Sequence, residues 1–248
     1  MVTVQVDSDN HDRIYRSWVE KNRRYVSEKS DGKLGYIHIP DMSKEGYAEF
    51  LRSFLQSFDC QGLVVDVRFN GGGHVSSLIL QKLALKRFGL DATRWHDANF
   101  CYPANAPKGC MVAICNEYAG SDGDMFSYAF KKMQLGKLIG KRTWGGVIGI
   151  NVRHDLLDGG VTTQPEYAIW LDGVGYGVEN HGVDPDEVIE ITPEQAASGQ
   201  DPQLDRAIAI ALDEIKHAKY EDLDKKLADT GKPCKKAPAL PKSAMVEA

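Results

Sequence analysis

Short apolar runs and amphipathic segments alternate through the centre of the chain. Gly62–Val67 and Cys110–Cys115 are nearly continuous apolar runs of strand length, as expected for parallel strands covered on both faces. Amphipathic helices are predicted at Glu45–Phe58, His74–Leu85 and Ser121–Met133. Because strands alternate with helices, the pattern predicts βα units with a mostly parallel sheet, which is an α/β fold.

Weaker patterns predict further elements on both sides of this centre. They are strands at Lys33–Ile39, Leu138–Ile139, Val147–Val152 and Tyr167–Leu171 and a closing helix at Gln203–His217. Residues 1–31 are predicted to form a short strand, Thr3–Val6, and then a helix, ahead of a main domain over residues 32–217. Lysines and prolines dominate residues 218–248, where we predict a frayed helix and then a disordered tail.

Charge and hydropathy narrow the range of partners. The 248-residue chain has a net charge of −5, which argues against nucleic acid as the main partner. No apolar run approaches the roughly 20 residues of a membrane span. The N-terminus lacks signal-peptide features, so we expect a cytoplasmic protein with no membrane partner. The five cysteines form no C-x-x-C pair and are expected to be reduced thiols, not metal ligands.

Three consecutive glycines follow the first buried run. The sequence Asn70-Gly71-Gly72-Gly73-His74 leaves the strand and enters a helix. Glycines allow positive φ and close backbone approach, and N–H groups at such a turn can receive an anion or an oxyanion. A flexible connector fits the same composition, and neither phosphate-loop nor dinucleotide-binding motifs occur.

A serine stands at the corresponding turn after the second buried run. In Gly120-Ser121-Asp122-Gly123-Asp124, the Ser121 hydroxyl would lie at the carboxyl edge of the sheet, where α/β folds bind ligands. The same residues fit a helix cap, because Asp124 follows Ser121 by three positions. Farther along, Glu179 in a glycine-rich loop either orients a base or is a solvated charge.

Together and in this order, these segments resemble the catalytic domain of tricorn-type proteases, a branch of the C-terminal-processing serine peptidases of family S41. The matching segments are Gly35–Met42, Val65–Gly73, Ala119–Asp124, Gly140–Gly146 and Gly177–Asn180. The resemblance implies a ClpP/crotonase-like α/β fold for residues 32–217. It also implies that residues 1–31 are the end of a PDZ-like domain with a linker helix.

The resemblance further implies roles for particular residues. Ser121 would be the nucleophile of a Ser-His-Ser-Glu tetrad, and Glu179 its acid. The implied oxyanion hole consists of backbone N–H groups of Gly72 and Asp122, with Gly71 and Gly73 as alternatives. Such a site would hydrolyse peptides through an acyl-enzyme without a metal or organic cofactor. Tricorn-type relatives assemble into hexamers, so a homo-oligomer is expected.

The chain departs from the family pattern at the general base. Tricorn-type proteases carry an adjacent serine and histidine upstream of the PDZ-like domain, and this chain contains no Ser-His pair. A sister branch uses a lysine in a T-x-G-K-G motif, but here Gly146 stands at that position and Lys141 falls elsewhere. An unassisted serine alcohol is a poor nucleophile.

Three sources of the base are compatible with the sequence. The chain can be the C-terminal part of a longer peptidase, it can receive the base from another chain, or a local histidine can substitute. His74 follows the glycine turn and His181 lies two residues beyond Glu179, although each also fits a plain helix-start or loop residue.

The sequence therefore predicts a serine peptidase domain that acts on peptide substrates. The main alternative is a catalytically inactive peptidase-like domain that binds peptide strands, and such binding would survive Ser121→Ala. A crotonase-like acyl-thioester enzyme would use the same kind of oxyanion hole. However, no obvious basic cluster for coenzyme A phosphates accompanies the glycine turn.

Overall fold

The computed structural model describes residues 11–92, 99–151, 155–217 and 223–230. A five-stranded, all-parallel sheet forms the centre. Its strands, in spatial order, are β1 (Leu34–His38), β2 (Gly62–Asp66), β5 (Cys110–Cys115), β6 (Lys137–Gly140) and β9 (Glu187–Val188). Two antiparallel pairs lie outside it: β3 (Gly89–Ala92) with β4 (Asn99–Tyr102), and β7 (Gly149–Ile150) with β8 (Pro165–Tyr167).

Seven helices are described. They are α1 (His11–Lys29), α2 (Lys44–Ser57), α3 (Ser76–Leu83), α4 (Asp122–Lys132), α5 (Pro193–Ala197), α6 (Pro202–His217) and α7 (Leu223–Thr230). The strand order advances in one direction, and crossovers between parallel strands are right-handed. The crossing helices α2, α3 and α4 therefore share one face of the sheet, and α1 and α6 cover the other.

The core consists of two apolar layers separated by the sheet. All residues of β1, β2 and β5 are buried, which explains why their sequences lack the alternation of a half-exposed strand. On β2, Val65 faces the layer shared with α2, α3 and α4, whereas Val64 faces α1 and α6. Neighbouring strand residues thus alternate between the two layers.

The α/β fold and its mostly parallel sheet are confirmed, and the four predicted helices of the main domain form with ends shifted by at most two residues. The predicted strand Tyr167–Leu171 is wrong beyond Tyr167, because the observed strand is Pro165–Tyr167 and pairs with Gly149–Ile150. Hairpin β3–β4 was not predicted, since its exposed strands carry no apolar period.

The two ends of the chain are described only in part. Helix α1 forms where a helix was expected, whereas the predicted strand Thr3–Val6 lies outside the described residues. In the predicted tail, Leu223–Thr230 is helical and residues 231–248 lie outside the described residues. Among the helices of the described ranges, none combines the length and apolar character needed to cross a membrane.

A buried ion pair fixes the end of β2. The Arg68 guanidinium donates to the Asp66 carboxylate, with Nη2 2.6 Å from Oδ2, and both side chains are almost fully excluded from solvent. Arg68 also donates to Asp201 and Gln203 at the start of α6, and Tyr36 donates to Asp66 at 2.8 Å. Burial alone would raise the pKa of Asp66, but the charge and hydrogen bonds of Arg68 hold it below its ordinary value.

His38 anchors the same segment from the neighbouring strand. Its Nε2 lies 3.0 Å from the Arg68 carbonyl oxygen, so Nε2 carries the proton, and Nδ1 accepts from the Tyr15 hydroxyl at 3.0 Å. Burial lowers the pKa of His38. The residue is therefore a neutral structural imidazole whose two ring nitrogens are both engaged.

We expect Asp66→Asn to reduce the free energy of unfolding by about 3–5 kcal/mol, because it leaves the Arg68 guanidinium buried without its charge partner. Urea denaturation measures the loss. Glu20→Gln is the control, since Glu20 pairs with Arg23 and Arg24 on the exposed surface of α1, and it should leave the midpoint nearly unchanged. Equal shifts in the two variants would contradict this account.

We expect stability to fall as the pH drops below about 6.5, the ordinary pKa of histidine. In that range the unfolded chain binds a proton at His38 that the folded chain does not, so stability rises with pH and is complete above the unfolded pKa. Asp66 adds to the loss only at more acidic pH, because its ordinary pKa is already 3.8. Urea midpoints measured on either side of pH 6.5 should differ less in His38→Gln than in the unchanged chain; an unaltered difference would refute the assignment.

Candidate active site

Two turns lie side by side at the carboxyl edge of the sheet. They follow the neighbouring strands β2 and β5, and the Gly120 N–H donates to the Asn70 carbonyl at 3.0 Å. Farther along, a Cβ placed on Gly72 would lie 2.6 Å from the Ser121 Cβ. The structure thus brings the predicted oxyanion turn and the predicted nucleophile into direct contact.

Asn70 shapes the glycine turn from within. Its side chain is fully buried, Nδ2 donates to the Ile39 carbonyl at 2.8 Å, and Oδ1 accepts from the Gly72 N–H at 2.9 Å. The Gly71 N–H donates to the Pro40 carbonyl at 3.1 Å. The role of Asn70 is not predicted from the sequence, where the one signal is a polar residue between a buried strand and three glycines.

Ser121 has an unfavourable backbone conformation. Its φ of 53° and ψ of −118° lie outside the regions that L-residues ordinarily occupy. Its side chain makes no capping hydrogen bond to α4, so the alternative interpretation of the hydroxyl as a helix cap is wrong. A strained serine at a strand-to-helix turn, with its hydroxyl not used as a cap, has the geometry of a presented nucleophile.

The predicted oxyanion donors differ in what they already bind. Within the described ranges, the N–H groups of Asp122 and Gly73 donate to no acceptor, whereas those of Gly71 and Gly72 are engaged with Pro40 and Asn70. A role for the Gly72 N–H would therefore require an oxyanion to share or displace the bond to Asn70. The Asp122 carboxylate accepts from the backbone and hydroxyl of Ser76, so it caps α3.

Glu179 lies in a turn against the loop of residues 143–148. Its Oε2 accepts from the Val147 N–H at 2.7 Å and from the Ile148 N–H at 2.9 Å. The Asn180 N–H donates to the Gly145 carbonyl at 2.7 Å. The carboxylate is half-buried and fixed by backbone donors, in contrast to a freely solvated loop charge.

The two histidines predicted as possible substitute bases, and Lys141 near the position of the sister branch's lysine, are exposed or engaged elsewhere. His74 is exposed, and His181 Nε2 lies 2.8 Å from Asp184 Oδ2. Lys141 pairs with Glu117 at 2.8 Å. Among the described residues, no side chain forms a hydrogen bond with the Ser121 hydroxyl.

Exposed aromatic side chains border the two turns. Phe69 and Tyr118 stack with ring centroids 5.5 Å apart, and the Asn116 Oδ1 accepts from the N–H groups of both residues. Both rings are more than half exposed, as is Trp144, which packs over Gly120. These aromatics are not predicted as site residues from the sequence, because the exposure of a side chain cannot be read from its residue type.

The family model of peptidase family S41 matches residues 33–189, which include both turns and Glu179. This chain belongs to peptidase family S41. The match ends at Ile189, one residue after β9, so it covers all five strands of the central sheet. The resemblance drawn from the sequence motifs is therefore confirmed at the level of the family.

Individual S41 proteins are similar over most of this chain. The tricorn protease of Thermoplasma acidophilum is 56% identical over 216 residues, which are 86% of this chain and 20% of that protein. A tricorn protease homolog of Saccharolobus solfataricus is 55% identical over 214 residues, 86% of this chain and 20% of that protein. A crystal structure of the tricorn protease matches with a TM-score of 0.84 and 54% identity over 87% of this chain and 21% of that chain. The chain spans about a fifth of the length of these relatives.

We expect Gly72→Ala to destabilise this S41 chain by more than about 1–2 kcal/mol, the cost of a positive φ for a non-glycine residue. Gly72 has a φ of 83°, and the added methyl group would also collide with Ser121. Gly71→Ala is the matched control, because a Cβ there meets nothing within 4 Å. Comparable urea midpoints for the two variants would show that Gly72 does not sit against the serine.

Proposed function

We propose that this S41 domain hydrolyses peptides through an acyl-enzyme on Ser121. Ser121 Oγ attacks the scissile carbonyl carbon, and its proton passes to a base while the carbonyl oxygen gains the negative charge. The Asp122 N–H is one donor to that oxygen. A second donor comes from the glycine turn, either Gly73, whose N–H is unused by the described residues, or Gly72, whose N–H is shared with Asn70.

One observation carries this proposal: a serine in a strained conformation lies against a glycine turn and next to an unused backbone donor. The backbone strain costs of order 1–3 kcal/mol and persists only where the surrounding structure enforces it. Here the hydrogen bond between Gly120 and Asn70 and the contact of Ser121 with Gly72 enforce it. A purely structural serine would gain nothing from this arrangement.

The general base is proposed to be a histidine from outside this chain's S41 core. It would belong either to a segment upstream of residue 1 in a longer protein or to another chain. Glu179 would orient it as the acid of the tetrad, and its Oε1 accepts no hydrogen bond from the described residues. We further propose that the chain forms a homo-oligomer in the cytoplasm. Residues 1–31 are proposed to be the end of a PDZ-like domain.

A catalytically inactive peptide-binding domain is the second candidate. Two observations favour it: no described histidine contacts Ser121, and the stacked pair of Phe69 and Tyr118 offers apolar surface beside the serine. Exposed aromatic rings are common anchors in binding surfaces. This candidate predicts peptide affinity that Ser121→Ala leaves unchanged.

Labelling with a fluorophosphonate tests the first candidate. Ser121 Oγ would form a bond to phosphorus, fluoride would leave, and the proton would go to a base. We expect little labelling of the chain alone and at least about tenfold faster labelling when imidazole is added as a diffusible base, because a general base contributes a factor of 10²–10⁴. Mass spectrometry locates the adduct, and Ser121→Ala is the control.

Each result of this experiment decides between candidates. Labelling without imidazole would mean that a base exists within the chain. In that case His74 and His181 are the first residues to substitute. Labelling that needs imidazole supports an incomplete but preformed site. A folded chain that resists the probe in both conditions would overturn the acyl-enzyme proposal, and peptide binding by Ser121→Ala would then favour the second candidate.

A further inference from the structure

A carboxylate that the proposed mechanism does not use is buried beneath the nucleophile. Asp124 lies in the first turn of α4, three residues after Ser121, and its side chain is fully excluded from solvent. Burial of a carboxylate is costly unless hydrogen bonds compensate. Asp124 therefore requires an explanation other than surface charge.

The hydrogen bonds that Asp124 Oδ1 accepts lead to the loop of residues 143–148. Its Oδ1 accepts from the Thr143 hydroxyl at 2.5 Å and from the Gly145 N–H at 2.9 Å. The Thr143 oxygen in turn accepts from the Val183 N–H at 2.8 Å, so the hydroxyl proton must point to Asp124. Among the described residues, Oδ2 has no hydrogen-bond partner.

The opposite side of the same loop contacts Glu179. The Val147 and Ile148 N–H groups donate to its Oε2, and the Gly145 carbonyl accepts from the Asn180 N–H. Gly145 thus contacts Asp124 through its N–H and the Glu179 turn through its carbonyl. The loop is a continuous hydrogen-bonded connection between the nucleophile's helix and the acid.

We propose that Asp124 is a positioning residue that sets the spacing between Ser121 and Glu179 through the Thr143–Ile148 loop. This inference rests on the proposed function, because spacing matters only if both residues serve one reaction. The carboxylate orients the loop, the loop orients Glu179, and Glu179 orients the base. A displacement of the acid by the loop would slow the reaction without altering the fold of the sheet.

Electrostatics is consistent with a structural rather than a proton-transfer role. Burial raises the pKa of Asp124 above its ordinary value, against hydrogen bonds from the Thr143 hydroxyl and from the backbone of Gly145, Ser121 and Gly146, which lower it. Both groups that bond to Oδ1 are donors, so this oxygen acts as an acceptor. Asp124 touches neither the Ser121 hydroxyl nor the unused N–H of Asp122 in this structure.

Thr143→Val tests the connection with the least change in shape. It removes the hydroxyl that donates to Asp124, and a hydrogen bond to a charged group is stronger than one between neutral groups. We therefore expect amide hydrogen exchange at Val147 and Ile148 to accelerate by at least about tenfold, while the amides of β5 keep their rates. Thr143→Ser should restore protection, and Asp124→Asn should give the same local acceleration as Thr143→Val.

Ser127→Ala is the control. Ser127 is a buried side chain on the same helix, and its hydroxyl donates to the Gly123 carbonyl and not to the loop. It should leave the Val147 and Ile148 amides unchanged. If exchange at these two amides is the same in Thr143→Val and Asp124→Asn as in the unchanged chain, the positioning role is overturned, whatever the labelling experiment shows.

The labelling rate gives a second, independent readout. With imidazole present, Thr143→Val should lower the maximal labelling rate at Ser121 by at least about tenfold and leave the probe concentration for half-maximal rate unchanged. A general loss of stability would instead accelerate exchange across the whole chain. Failure of the unchanged chain to label overturns the proposed function, while the exchange data still decide whether Asp124 fixes the loop.

Discussion

The buried pair of Asp66 and Arg68 is the interaction on which the rest of the site depends. It lies where β2 ends, and the chain turns toward the glycines immediately afterwards. Arg68 reaches α6 through Asp201 and Gln203, and its carbonyl is held by His38. A charged pair of this kind tolerates little displacement, because separation would leave an unpaired charge in the core.

The position of Ser121 depends on contacts of the backbone segment that follows this ion pair. Asn70 connects the first turn to Ile39 on one side and to Gly120 on the other. Gly72 then packs against Ser121, whose strained φ and ψ are maintained by the two interlocked turns. The proposed oxyanion donors are therefore placed by the sheet edge and need no flexible loop.

The acid side of the site depends on a different connection. Glu179 is far from Ser121 in sequence, and the 143–148 loop joins the two through Asp124. No described histidine completes the arrangement. The S41 domain, which spans about a fifth of its relatives' length, thus holds the proposed nucleophile, donors and acid in fixed positions, with the base proposed to come from elsewhere.

The α/β class, the buried strands and the order of the three motifs can all be predicted from residue types alone. Continuous apolar runs report burial on both faces, and glycine triplets report backbone freedom, so both are readable from residue types. The absence of a Ser-His pair likewise follows from inspection of the sequence alone. The resemblance carried by Ser121 and Glu179 pointed to family S41, which the family model confirmed.

The polar residues that have structural roles become apparent only from the three-dimensional arrangement of the chain. Asp66, Arg68, Asn70 and Asp124 look like ordinary surface residues in sequence, because burial of a charge depends on partners distant along the chain. The structure likewise decided that the Ser121 hydroxyl does not cap its helix. It also set the connection of the Thr143–Ile148 loop to Glu179. These outcomes rest on long-range hydrogen bonds, which no local pattern of residues specifies.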